Sequence, residues 1–267
     1  MTANRFQRQS FLGERSEAIL SNCRVAIMGL GGGGSHIAQQ LAHIGVGTFV
    51  IADPDIVEES NLNRLVGATA ADVENATPKV DVAERLIRAV NPNANVIAIP
   101  ERWQAKPELL RECDVIFGCV DHYTGRDELE RMARRFLISY IDIGMDVHRL
   151  GKHYLISGQA ALSMPGEPCL WCMGLLTEDL LKQEAANYRE AGDRPQVIWP
   201  NGVLASTAVS LFMQLVTPWH DKLLPILVEY DGNSHSVFSS NKLAIISHTQ
   251  CRHYKDTEVG DSFFKTT

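Results

Sequence analysis

The sequence predicts an α/β protein with a mostly parallel sheet, extended by antiparallel strands in the C-terminal half. Three observations carry this expectation. Between residues 24 and 141, short β-rich apolar runs alternate with helical patterns, as in a parallel sheet covered on both faces. A run of glycines follows the first apolar segment and opens the first helical one. Past residue 151 the periodicity falls to two residues and a hairpin signal appears, which marks antiparallel pairing.

Strands are expected at residues 24–28, 48–52, 95–99, 114–119 and 138–141, and helices at 35–44, 79–90 and 125–136. In the second helix Val82, Leu86 and Ala89 share a face, and the segment lengths suit right-handed βαβ units. Residues 154–162 alternate as a strand. After a Pro/Gly/Cys turn, a polar helical segment at 177–189 leads into Gly192-Asp193-Arg194-Pro195, which reads as a lid or crossover. In the uncharged stretch 195–219, Pro200-Asn201-Gly202 and Pro218 confine a helix to 203–216. Such a helix spans roughly 21 Å, short of the ~30 Å hydrocarbon core, so burial in protein is expected and not a membrane span. Residues 226–230 and 236–239 flank Asp231-Gly232-Asn233, a hairpin signal of the Asp-Gly kind.

With 45% hydrophobic and 21% charged residues, the composition is that of a soluble globular protein. Lys and Arg total 25 against 32 Asp and Glu, a net charge of -7. That balance argues against a broad phosphate-binding surface and makes nucleic acid an unlikely main partner. Six cysteines are too sparse for a disulfide framework, so a reducing cytoplasm is expected. Arg5, Arg8, Glu14, Arg15 and Glu17 are incompatible with the apolar core of a signal peptide.

Gly29-Leu30-Gly31-Gly32-Gly33-Gly34-Ser35 joins a strand to a helix, so bare amides and a helix N-terminus can approach a phosphate without Cβ obstruction. Gly29, Gly31 and Gly34 satisfy the dinucleotide fingerprint of a Rossmann-like fold, with Gly32 between them. Asp53 ends the next strand, where a ribose hydroxyl would be gripped. The fingerprint alone does not separate a nicotinamide dehydrogenase from an adenylate-forming enzyme. The polar residues downstream of it do: Asp53-Pro54-Asp55, then Asn61-Leu62-Asn63-Arg64, then Lys79 at a helix start. A hydride-transfer site has little use for these cations, whereas nucleotidyl transfer accumulates negative charge on the α-phosphate and the leaving pyrophosphate. Asp121, at a strand's C-terminal end, is placed to hold magnesium against the phosphates.

Together with Arg5-Phe6-Gln7-Arg8-Gln9, Val90-Asn91-Pro92, Asp121 with Arg126, and Pro168-Cys169-Leu170-Trp171-Cys172, these residues give a chain that resembles the ThiF/MoeB superfamily, relatives of the ubiquitin-activating enzymes, over nearly its whole length. The resemblance implies an adenylyltransferase that uses ATP and Mg2+ to adenylate the C-terminal glycine carboxylate of a small ubiquitin-like protein, releasing pyrophosphate. It assigns Asp53 to the ribose, Asn61, Arg64 and Lys79 to the triphosphate, and Asp121 to magnesium. Arg8 would reach the neighbouring subunit's ATP site, which implies a homodimer. A single adenylation domain over 1–267 is expected, with a nucleotide-binding half (1–150) and a half carrying the sheet extension, crossover and partner surface (151–267).

The chain departs from the family pattern in three places. Cys169 and Cys172 make half a zinc site and the family's usual second Cys-x-x-Cys is missing. His248 and Cys251 are expected to complete a Cys3His set, with His253 also at hand; the competing reading is a lost metal and two packed thiols. No cysteine occurs between residues 173 and 199, so no thioester is expected there, and Cys23, Cys113 and Cys119 are expected to be buried. Leu65 stands where the family commonly has glutamine. The alternatives are a dehydratase-type adenylation of a carboxylate on modified tRNA, an NAD-dependent oxidoreductase, and a non-catalytic scaffold.

Overall fold

A computed structural model describes residues 5–186, 195–221, 225–242, 251 and 253–254. Apolar runs at Arg24–Met28 (β1), Thr48–Ala52 (β2), Asn95–Ile99 (β3) and Val115–Gly118 (β4) form parallel strands. They continue into Ser139–Leu150 (β5), His153–Ser163 (β6), Leu227–Asp231 (β7) and Ser236–Ser239 (β8). One sheet results, in the order β3-β2-β1-β4-β5-β6-β7-β8, parallel from β3 to β5 and antiparallel from β5 onward. β1 and β4 lie side by side while their connections leave in opposite directions, which opens a crevice at the strands' C-terminal ends.

The first strands match the sequence expectation residue for residue, as does Lys79–Val90 (α4), which follows the short helices Ser16–Asn22 (α1) and Ala70–Glu74 (α3). Others shift by a residue or two at an end, and three begin or end well away from the expected place. The first long helix, Gly32–Ile44 (α2), begins inside the glycine run, because Gly31 serves as its N-cap and the Gly31 carbonyl accepts the Ser35 amide at 3.0 Å. β5 runs on to Leu150, because β6 supplies antiparallel partners through the Leu150–His153 pair that an apolar count ending at Ile141 does not register. The apolar helix Ile198–Val216 (α7) starts before Pro200, since a proline in a helix's first turn has no amide to waste. Asn201 in that turn donates its side-chain amide to the Val197 carbonyl at 2.9 Å.

The β7–β8 turn is also not the expected Asp-Gly type. His235 takes the left-handed conformation (φ 57°), and the Asp231 carboxylate accepts the amides of Asn233 and Ser234. A β-turn built on the Asp side chain replaces the glycine device.

Two cores flank the sheet. On one side α2, α4 and α7 bury Ile37, Leu41, Ile87, Leu211 and Phe212 against Ile27, Phe49 and Phe117; the Phe117 and Phe212 rings sit 5.8 Å apart. On the other, Tyr123–Arg135 (α5) buries Leu129 and Ala133 against Met28, Ile116 and Tyr140. α7 is thus a core helix, and among the described residues no helix is long and apolar enough to cross a membrane. The N-terminal segment is pinned at the far end of α2: Arg5 donates to the carbonyls of Val90 and Ala42, and Gln9 to that of Ile44.

Candidate active site

A cavity of about 540 Å3 opens at the C-terminal ends of β1, β2 and β4. Gly29 makes the turn out of β1 at φ 89°, and a Cβ there would lie 2.6 Å from the Cys119 carbonyl oxygen. A Cβ on Gly34 would collide with the Gly29 carbonyl, so the loop folds back on itself only with glycine at both places. Gly29, Gly31 and Gly32 line the cavity.

Asp53 closes the loop from β2. It is 5% exposed; one carboxylate oxygen accepts the Leu30 amide at 2.6 Å and the other the Asp55 amide at 2.9 Å. Burial pushes its carboxyl up, while Lys79 and the two amides pull the other way. Lys79, at the start of α4, sits 2.7 Å from Asp55 and 4.0 Å from Asp53. Arg64 lines the same wall and is steadied by the Ser60 carbonyl at 2.6 Å and the Asn63 side chain at 3.1 Å. Asp121 stands across the cavity just after β4, 3.4 Å from His122 Nδ1.

Gly29, Gly31, Gly32, Asp53, Asp55, Arg64, Lys79 and Asp121 therefore converge on one cavity. Gly34 supports the loop from behind. Asn61 does not line the wall: it is 6% exposed and its side chain accepts the Glu58 amide in a reciprocal cap of the turn Glu59–Asn61. Arg8 is exposed in the N-terminal segment at the opposite end of α2, roughly 20 Å away by helix rise. Leu65, the departure from the family pattern, packs with Val57 and Val82 in a small apolar cluster.

The cavity also holds residues that the sequence did not single out for it. Arg126, 8% exposed, donates to the Ile143 carbonyl at 3.0 Å and lies 3.6 Å from the fully buried Asp142, whose partner Tyr140 donates to it at 2.9 Å. A Cβ on Gly144 would meet both Arg126 and the Gln159 amide, so these two donors converge on one patch of the floor. Asn201 packs against Gly32. The Pro-Asn-Gly opening of an apolar helix was the only signal for Asn201, and Gln159 carried none.

A second cluster lies apart from the cavity. The ligand atoms of Cys169, Cys172, Cys251 and His253 all lie within 4.8 Å of one another. His253 Nδ1 is 3.3 Å from Cys169 Sγ and 3.4 Å from Cys172 Sγ, and the two thiols are 3.5 Å apart. The expected fourth member, His248, lies outside the described residues; the ring present here is His253. Trp171 stacks on it with centroids 5.9 Å apart and is itself held by its indole N–H, which donates to Asp127 at 2.8 Å. Three sulfurs and one imidazole nitrogen at these spacings suit a tetrahedral zinc ion. Among the other cysteines, burial pushes the thiols of Cys23 and Cys113 up to about 11 and that of Cys119 higher still. Cys23 and Cys113 are buried as expected, whereas Cys119 is half-buried and lines the cavity.

The family model for the ThiF family matches residues 4–253. The chain belongs to the ThiF family. It is 32% identical over 164 residues to the SAMP-activating enzyme E1 of Haloferax volcanii, a match spanning 61% of this chain and 57% of that protein. It is 34% identical over 130 residues to the sulfur carrier protein ThiS adenylyltransferase of Escherichia coli (47% and 51%). It is 26% identical over 248 residues to the adenylyltransferase and sulfurtransferase UBA4 of Meyerozyma guilliermondii (90% and 55%). The chain thus spans little more than half the length of these relatives. Among solved structures, E. coli MccB with ATP superposes with a TM-score of 0.71 at 22% identity, over 90% of this chain and 72% of that one. That likeness establishes the shared ThiF-type fold.

Gly29→Ala is expected to destabilise the protein by about 2 kcal/mol or more, because it adds a strained backbone to a contact with the Cys119 carbonyl. Urea unfolding measures this, and a loss under about 0.5 kcal/mol contradicts the geometry.

Proposed function

We propose that this chain adenylates the C-terminal glycine carboxylate of a ubiquitin-like protein, a sulfur carrier or a modifier, with ATP and magnesium. The observation that carries the reading is the convergence of the glycine loop, Asp53, Arg64, Lys79 and Asp121 on one cavity at the switch point of the sheet. The names of the relatives support it: they activate SAMP or adenylate ThiS. A nicotinamide oxidoreductase would leave Arg64, Lys79 and Asp121 without a task. The dehydratase-type alternative gains no specific support from the cavity.

In this reaction a carboxylate oxygen of the partner's tail attacks the α-phosphorus of ATP. The bond from phosphorus to the bridging oxygen breaks, pyrophosphate leaves, and an acyl adenylate forms. No base is needed, because a terminal carboxylate with a reference pKa of about 3.3 to 3.7 is already ionised at neutral pH. The difficulty is bringing two anions together. The amides at the start of α2 and the cations of Lys79 and Arg64 oppose that repulsion. Asp53, already oriented by two amides, takes the ribose hydroxyls. The exposed carboxylate of Asp121 suits a hard cation that keeps most of its waters. Bound there, magnesium supplies charge neutralisation to the leaving pyrophosphate.

Arg8 is proposed to act in a second subunit of a homodimer, which accords with its distance from the cavity of its own chain. Cys169, Cys172, Cys251 and His253 are proposed to hold a structural zinc ion that ties the C-terminal segment to the loop before residue 178.

Lys79→Ala is expected to lower ATP–pyrophosphate exchange by about a hundredfold or more; near-wild-type exchange removes Lys79 from the mechanism. Mixing Arg8→Ala with Lys79→Ala protein is expected to restore exchange well above either alone, because mixed dimers rebuild one intact site; no recovery places Arg8 outside the partner's site. Elemental analysis of protein purified without chelator is expected to find one zinc per chain, lost in His253→Ala and kept in His248→Ala. The reverse pattern would reinstate His248 as the ligand.

A further inference from the structure

The helix Glu178–Ala186 (α6) has no fully buried side chain, only Leu180, Leu181 and Glu184 half-buried along one face, and it lies beside the cavity, where Leu180 contributes to the wall. A helix held by so shallow an apolar contact gains limited stabilisation from it. Its polar tie to the body among the described residues is Glu184. That carboxylate accepts the Tyr123 amide at 2.6 Å, the Thr124 amide at 2.9 Å and the Thr124 hydroxyl at 2.7 Å. These donors belong to the first turn of α5, whose own N-cap residue, His122, makes no side-chain cap. Four amides at a helix start have no partner within the helix, and here a carboxylate from a distant helix answers two of them. Partial burial opposes ionisation of Glu184, but the hydrogen bonds from Thr124 and Tyr123 outweigh it and hold the carboxyl below the usual range.

The turn that Glu184 secures begins two residues after Asp121, one of the cavity's carboxylates. Asp121 directly precedes the cap residue and is paired with its ring, while Arg126 lies one turn further along α5. We infer that Glu184 is a positioning residue: docking α6 onto the start of α5 and setting the turn just after Asp121 are a single event. Release of α6 loosens that turn and widens the cavity mouth together. The kinetic consequence rests on the adenylation reading; the docking itself does not.

Hydrogen exchange of amides 123 and 124, with Glu184→Ala and Glu184→Gln in the full chain, tests the docking whatever the activity. Glu184→Ala is expected to speed exchange at Tyr123 and Thr124, whose amides Glu184 accepts, by about tenfold, the scale of a lost charged cap. Glu184→Gln, which keeps one acceptor oxygen, is expected to fall between. Lys182→Ala, on the same helix, is expected to match wild type. In pyrophosphate exchange, Glu184→Ala is expected to lower kcat and raise the magnesium concentration for half-maximal rate severalfold, with KM for ATP little changed and Glu184→Gln partly restoring kcat. Unchanged exchange at Tyr123 and Thr124 overturns the docking. Faster exchange there, with the magnesium requirement and kcat at wild-type values, overturns the positioning role. A wild-type chain inactive in pyrophosphate exchange overturns the adenylation reading while the amide result still decides the docking.

Discussion

The cavity depends on a buried carboxylate that ties two loops together. Asp53 ends β2 with almost no solvent contact, and its oxygens accept amides from the glycine loop on one side and from the Asp55 turn on the other. The Asp55 loop is also bridged to the start of α4 through Ile56 and Pro78, and the double acceptance by Asp53 fixes its spacing from the glycine loop. Burial makes the ionised form costly, and Lys79 at 4.0 Å relieves only part of the cost. A carboxyl raised in this way favours the folded chain below the ordinary carboxylate range and disfavours it as pH rises through the shifted value. In the proposed reaction, hydroxyl donors from a ribose offset that cost, so the strain in the protein and the affinity for a sugar have one source.

Two helix N-termini face this crevice because β1 and β4 are neighbours whose connections diverge. The first turn of α2 lines the cavity wall, whereas the first turn of α5 is held by Glu184. The same partial positive charge thus faces the open cavity in one helix and meets an internal carboxylate clamp in the other. Cations are arranged with similar division of labour: Lys79 and Arg64 meet the cavity, while Arg126 is buried against Asp142 and shapes its floor.

Much of the fold was legible because buried parallel strands appear as short unbroken apolar runs. β1, β2, β3 and α4 end where their hydrophobic pattern ends. Legibility failed where a neighbour supplied the partner. β5 continues past Asp142 and Gly144 because β6 pairs with it, and α7 begins before Pro200 because that proline occupies a position with no amide to satisfy. Of the site, the glycine loop, Asp53, Arg64, Lys79 and Asp121 could be named from residue type and order alone. Asn61 could not be separated from a local cap, and Gln159 and Glu184 carried no signal, since a polar residue in a strand or a glutamate in an exposed helix is ordinary.

Residue order alone determined the parallel sheet, the phosphate-type loop and the cations beyond it, because these rest on local periodicity and on which residue types can approach a phosphate. The tertiary structure decided that His253 stands beside the cysteines, where Arg8 lies relative to the cavity and which acid caps α5. Each of those depends on the direction of a side chain across a long sequence separation, and direction is set by what packs beside it: Trp171 for His253, the ends of α2 and α4 for the segment carrying Arg8, and the start of α5 for Glu184.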